Sequence, residues 1–376
     1  MTQSNNFGFG EDETMLRDSA RKFFADNCGP EKIHSQVADN PDIHRAVESK
    51  WDKGLWKQIA ELGWTAVCVP EAAGGIGMPV VAAVALAEEA GKAAFPSPLI
   101  ATLNATFAVR ECNSDAATKL LGEIATGSSA TLAITNEKGS WQATDTGVTA
   151  KDGKLSGTAY FVQDALKADV LVVSADSGNG VALYRVDPAA DGVTIHADAI
   201  IDLTRDQAHI SFDGAAAELL DAKGAEALTK AMPAILCITS ADMIGSGEWL
   251  LQTTTEYAQT RVQFDRPLGF FQAVKHPLVN VMLAIDAAKS LTYNAACAIE
   301  EEPENALKLA RMAKSAASDM AVFSSSRAVQ FHGGIGFTWE CFVHLFFKRQ
   351  MHNHILYGDG KYQRALLADM LIGKAA

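Results

Sequence analysis

From residue 11 to about 122 the apolar positions recur at helical spacing. Met15, Ala20, Phe23 and Phe24 fall near one face of a first segment, and Leu55, Ile59 and Leu62 near one face of a later one. Gly63 and Gly91 read as C-terminal stops, because a residue without a side chain most readily takes the left-handed conformation that ends a helix. Between them, residues 69–77 form a glycine-rich turn. Pro79 suits the first turn of the next helix, where its missing N–H would have no partner anyway. The first part of the chain is therefore predicted to be helical throughout.

The pattern changes at about residue 128. Short alternating or β-rich runs at 131–135, 170–173 and 181–186 are separated by turn residues. Asp152-Gly153 and the cluster Ser177-Gly178-Asn179-Gly180 are hairpin signals, since the tight turns between antiparallel strands demand positive φ. From about Ala225 the helical period returns in long segments at 232–262, 274–300 and 304–331, with a last one from about 342. Long helices joined by short turns pack antiparallel. The prediction is an α+β chain of three units: a helical unit over 1–125, a β-barrel or sandwich over 126–224, and a four-helix bundle over 225–376.

Composition narrows the function. At 376 residues the chain exceeds the usual size of one core, and its proportions, 48% hydrophobic and 20% charged, are globular. The net charge of -13 comes from 45 acidic against 32 basic residues, and the bases are scattered, which argues against a surface that tracks nucleic-acid phosphates. Six widely spaced cysteines show no CxxC pair and no metal-ligand spacing, so reduced thiols and no metal site are expected. No uninterrupted apolar run reaches the ~18 residues of a membrane span, and the N-terminus lacks the basic start and apolar stretch of a signal peptide. A cytoplasmic protein is expected.

Two stretches carry chemistry. In the run Tyr257-Ala-Gln-Thr-Arg261-Val-Gln-Phe264-Asp-Arg-Pro267-Leu268-Gly-Phe-Phe271-Gln272, a helix would set Tyr257 and Arg261 one turn apart. Phe264 would follow near the helix end. A guanidinium beside an aromatic ring suits a diphosphate and its adenosine. The second stretch, Gln330-Phe-His-Gly333-Gly334-Ile-Gly336, ends a long helix in glycines, whose bare backbone N–H groups a phosphate or ribose can approach. Each feature alone has a plainer reading: a surface ion pair for Arg261, a core ring for Phe264, a helix cap for the glycines. His332 reads as structural.

Together the two stretches resemble the signatures of the acyl-CoA dehydrogenase family, and the helical, β, helical order agrees. The resemblance implies FAD as cofactor, an acyl-CoA thioester as substrate and an electron-transferring flavoprotein as electron acceptor. In the family the matching arginine and phenylalanine reach across a subunit interface to the adenosine-diphosphate half of FAD. That role carries to Arg261, Phe264 and Gln272, and to Gln330, Gly333 and Gly334. In the β-unit, residues 135–141 partly resemble the family's Thr-Glu-Pro-x-x-Gly-Ser-Asp loop beside the flavin ring. Thr135 is retained, but Trp141 stands where an Asp is usual. Phe161 lies near the position of a common flavin-packing Trp, and reads equally as a core aromatic.

The family removes the substrate α-proton with a glutamate at one of two positions. One lies in a C-terminal Tyr-Glu-Gly-Thr context, where this chain has Tyr357-Gly358-Asp359-Gly360; the other lies about 26 residues before the motif arginine, which gives Ile235. Neither position holds a carboxylate. Asp359 is the nearest candidate, one residue displaced and one methylene shorter, with a turn residue as the plainer reading. Residues for the adenosine diphosphate thus persist where the base is missing. Heteromeric members of the family, associated with CoA thioesters of steroid side chains, resemble this: one subunit holds the glutamate and a related one does not. The expectation is a half-site subunit of a heterotetramer of two related chains sharing FAD. A self-sufficient dehydrogenase using Asp359 and a related flavin oxidase or monooxygenase stand as alternatives.

Overall fold

The computed structural model describes residues 10–37 and 50–373; residues 1–9, read above for a leader, lie outside the described residues. Among the described residues six α-helices come first: α1 (Glu11–Asn27), α2 (Pro30–Val37), α3 (Lys53–Glu61), α4 (Val80–Lys92), α5 (Leu99–Arg110) and α6 (Asp115–Ala125). Short polar side chains start two of them. Asp52 accepts the N–H groups of Gly54 and Leu55 ahead of α3, and Ser114 accepts that of Ala117 ahead of α6. Helices α4 and α5 are buried nearly all round, which places them at the centre of the unit. Along α1, Ala20 and Phe24 are buried, but Met15 is 70% exposed and belongs to the outer face; Leu62 likewise points outward just past α3. Gly63, at φ 78°, is the stop its sequence suggested.

The eight strands that follow form one sheet: β1 (Ala130–Ala133), β2 (Val148–Lys151), β3 (Lys154–Gln163), β4 (Val170–Asp176), β5 (Val181–Val186), β6 (Val193–Ala197), β7 (Gln207–Ala216) and β8 (Glu218–Asp221). The spatial order is β6-β7-β3-β2-β4-β5-β8, with β1 parallel to β4. Strands β2 and β3 turn at Asp152-Gly153, both with positive φ, and β4 and β5 turn at residues 177–180, as the hairpin signals required. Leu155, Val162, Leu171, Val173, Ile210 and Phe212 fill the sheet's own core.

The C-terminal helices are α7 (Gly224–Thr260), α8 (Gln272–Glu301), α9 (Pro303–His332), α10 (Val343–Asn353) and α11 (Gly360–Ile372). The single last helix expected from residue 342 is two, broken by a turn at 354–359. Helix α7 is long and apolar enough to cross a membrane, but 89% of the qualifying window is buried inside the protein, as befits a core helix. Gly91 is corrected from a helix stop to a crossing point. It lies inside α4, and a side chain there would stand 2.7 Å from Asp242 Cα of α7. Gly245 answers it from α7, where a Cβ would meet Lys92 N at 2.7 Å. Ser246 Oγ donates to the Gly91 carbonyl at 2.9 Å and seals the contact.

Candidate cofactor and substrate site

Helix α7 ends where Arg261 N–H donates to the Tyr257 carbonyl at 2.8 Å, and the chain turns at once into a two-strand hairpin, β9 (Val262–Gln263) and β10 (Arg266–Pro267). Its turn residues, Phe264 and Asp265, have φ of 53° and 60°. Such a turn favours Asn-Gly, and a phenylalanine there is strained by roughly 1–2 kcal/mol. Phe264 is nevertheless 87% exposed at the hairpin tip, with no core burial to offset the strain. Strain spent on holding out an aromatic ring points to a function outside the chain's own core. Arg261 and Gln272 are exposed beside it.

Gln330 is exposed in the last turn of α9, and Gly333, at φ 64°, and Gly334 follow with no atom near where a side chain would be. The Tyr257 ring stacks on His332 at 4.3 Å and 21°, tying the end of α7 to the end of α9. Both motifs therefore sit at one end of the bundle. His332 is buried, its Nδ1 lies 2.9 Å from the Ala328 carbonyl, and burial lowers its pKa, so it holds a structural place. The residues present fit the adenosine-diphosphate half of FAD: a guanidinium and open glycine backbone for phosphates, an exposed ring for adenine.

In the β-unit, Tyr160 N–H donates to the Thr135 carbonyl at 2.9 Å, so the loop after β1 joins β3. There the β3–β7 register shifts between Ala159 and Val162. Phe161 stands on this bulge at φ 55° and 36% exposure, and Gln163 Nε2 donates to its carbonyl at 3.0 Å. Bulges re-aim side chains beside active sites. Gly139 packs near the Phe161 ring, so Thr135, the loop and Phe161 lie together. The Trp141 ring continues across to Tyr357, 4.8 Å away.

At the first base position Gly358 has φ 91°, and a side chain there would run into the Tyr362 ring, with Cε1 at 2.7 Å and Cγ at 2.8 Å. Asp359 is the N-cap of α11: its Oδ1 accepts the Tyr362 N–H at 2.8 Å. Its carboxylate is thus engaged by the helix it starts. The second base position, Ile235, is fully buried in α7. Beneath the turn, Lys314 donates to Ser318 Oγ at 2.8 Å, the His354 carbonyl at 2.9 Å and the Gly358 carbonyl at 3.0 Å. Burial pushes this lysine down to about 7, partly opposed by the charge of Asp359. An open cleft of about 600 Å³ runs between α9 and α11 and has Gln330, Arg327, Asp359, Lys361 and Arg364 in its walls.

Sequence reading missed a buried charge network where β-unit and bundle meet. Asp242 of α7 takes Arg205 at 2.6 Å and Arg349 of α10 at 2.6 Å, and Asn353 donates to it as well. Arg205 continues to Asp164 at 3.2 Å, and Lys167 bridges Asp164 at 2.6 Å and Asp206 at 3.1 Å. The available signal was a lone Asp242 inside an apolar helical run. Its partners, far off in sequence, were not readable. None of the six cysteines is in a disulfide, and no group of potential metal ligands occurs among the described residues.

Comparison with known proteins agrees with this architecture. Residues 10–128 match the acyl-CoA dehydrogenase N-terminal domain, and residues 223–372 the acyl-CoA dehydrogenase C-terminal domain. The acyl-CoA dehydrogenase IpdE2 of Mycobacterium tuberculosis is 31% identical over 340 residues, covering 90% of this chain and 91% of that protein. Among solved structures, a variant of the Tcur3481-Tcur3483 steroid ACAD superposes with a TM-score of 0.87 at 28% identity, covering 96% of this chain and 98% of the other. The ChsE4-ChsE5 complex from Mycobacterium tuberculosis gives a TM-score of 0.86 at 25% identity over 98% of this chain and 100% of the other. With three units in the same order, both terminal domains matched, and a relative aligned almost end to end, this chain belongs to the acyl-CoA dehydrogenase family of FAD-dependent oxidoreductases.

Proposed function

We propose that this chain is the glutamate-less subunit of a heteromeric acyl-CoA dehydrogenase, one that lends the adenosine-diphosphate site of FAD to a related partner holding the catalytic base. One observation carries the reading. The residues suited to the adenosine diphosphate face outward, Phe264 at the tip of a strained hairpin, while the base position is a left-handed glycine whose side-chain room the Tyr362 ring fills. An outward site is of use to a neighbour, and a filled one is of no use to its own chain. FAD, when bound, supplies the hydride acceptor; Arg261, Gln330 and the backbone at Gly333 and Gly334 would hold its phosphates and sugars, and Phe264 would offer a ring to the adenine.

Exposed Val262, Phe270, Val279, Met282 and Leu283 extend the apolar surface from the hairpin along α8, which supports burial against another subunit in a heterotetramer. The relatives named for steroid ACAD and for a two-protein complex support a bulky steroid side-chain CoA thioester as substrate and a second dehydrogenase chain as partner. An electron-transferring flavoprotein would then take the electrons. The test is to produce the chain with and without a related dehydrogenase subunit, and to measure bound FAD and acyl-CoA-dependent dye reduction. A flavin-poor, inactive lone chain and a yellow, active pair are expected, with Arg261→Gln stripping FAD from the pair. Full FAD occupancy and turnover by the lone chain would refute the reading.

A further inference from the structure

The three units meet at Tyr357. Its ring is buried in the main core, and its hydroxyl lies 3.4 Å from Asn104 Nδ2 of α5, in the N-terminal unit. From the β-unit, the loop at 136–142 lays Trp141 on that ring at 4.8 Å with a 48° tilt, and Gln142 Nε2 donates to the Tyr362 hydroxyl at 2.9 Å. From the C-terminal unit, Gln363 Nε2 donates to the Tyr357 carbonyl at 2.6 Å and Lys314 to the Gly358 carbonyl at 3.0 Å. Tyr357 and Gly358 are consecutive left-handed residues, at φ 56° and 91°. A tyrosine holds that conformation when its surroundings determine it, and these bonds do so.

We infer that Trp141, Tyr357 and Tyr362, none of which lines the open cleft between α9 and α11, form an aromatic joint that closes this chain's own acyl site at the base position from within, with Tyr362 as the blocking residue. The inference rests on the half-site reading for its biological sense and adds what occupies the unused site. Loss of the glutamate alone would leave an empty hole beside a flexible glycine. Here the hole is filled: the Tyr362 ring takes the side-chain room at 358, its hydroxyl is held by the loop, and Trp141 covers the tyrosine next door. Restoring a carboxylate at 358 therefore needs Tyr362 removed as well.

The test uses the full chain and requires neither FAD nor a partner. Gly358→Ala, Tyr362→Thr and the double variant are compared by urea midpoint and Tm. The strain of a positive φ at 358 enters both backgrounds equally and cancels in the cycle. Gly358→Ala is expected to be markedly more harmful with Tyr362 in place than with Tyr362→Thr. Equal cost in both backgrounds would show that the ring does not fill the site and would overturn the proposal. The second measurement is calorimetric titration with octanoyl-CoA as probe. The natural chain should give no saturable heat, and Trp141→Gly/Tyr362→Thr a saturable isotherm. Saturable binding of equal strength by both proteins would mean that the acyl site is open, which also overturns it. Neither readout depends on flavin content or co-production, so a failed joint removes the filled base position but leaves the absent carboxylate and the outward-facing cofactor residues, and the co-production test then decides the half-site reading on its own.

Discussion

Asp359 illustrates how a residue's neighbours decide its work. Sequence offered it as the carboxylate nearest a vacated base position; the fold gives that carboxylate the N–H of Tyr362 and makes it the cap of α11. Asn caps a helix about as well as Asp, whereas Ala forfeits about 1 kcal/mol. Asp359→Asn is expected to keep the melting temperature and, in complex with a partner subunit, the turnover; Asp359→Ala should lower stability by about 1 kcal/mol. A stable Asp359→Asn variant that loses turnover would instead make Asp359 the base. Phe264 shows the opposite case. Its motif was legible, but its left-handed backbone and exposure follow from the two-residue hairpin, which no periodicity announced. Lys314 was not legible at all, because its three acceptors come from α9 and from the turn after α10.

Among the elements, the crossing of α4 and α7 depends on two missing side chains. Gly91 and Gly245 let the backbones approach so closely that a Cβ on either would meet main-chain atoms, which cannot swing aside as a flexible side chain can. Gly245→Ala improves helix propensity by nearly ~1 kcal/mol, yet overpacking against backbone costs more, about 1–3 kcal/mol or beyond. The expected outcome is a net loss of stability, read as a lower urea midpoint. An unchanged or raised midpoint would mean that the crossing is looser than the geometry shows. Periodicity identified both helices, but it read Gly91 as a stop, because a glycine required by a neighbouring helix leaves the same mark in sequence as one required by a cap. The break at 354–359 was hidden for a related reason: its glycines belonged to a motif expected to carry chemistry.

For the whole molecule, the Asp242 network is the polar rivet between β-unit and bundle. Burial alone would raise the Asp242 pKa, but Arg349 and Arg205 outweigh it and hold the carboxyl below its ordinary value. A depressed folded pKa contributes stability that is present above the unfolded value, near ~3.9, and is lost as pH falls through the folded one. Asp242→Asn leaves the buried Arg349 guanidinium without its counter-charge and Arg205 with Asp164 alone, and loss of one partner from a buried pair costs about 3–5 kcal/mol. Urea unfolding at pH 7 should show that deficit, and the gap between natural and variant chains should narrow below pH ~4. A gap that stays constant with pH would mean that Asp242 stabilises through packing and not through charge.

The sequence by itself determined the order of units, most helices, the two strand hairpins and the cofactor signature. Those depend on local periods and turn chemistry, which a chain carries wherever it goes. Tertiary structure decided which glycines are crossings, which carboxylates are caps, and which buried charges meet. It also decided what fills the place of the missing base, since Tyr362 reaches Gly358, and Trp141 reaches Tyr357, only after distant segments have packed. A side chain's chemistry is written in the sequence, whereas the atoms it will touch are set by the packing of all the rest.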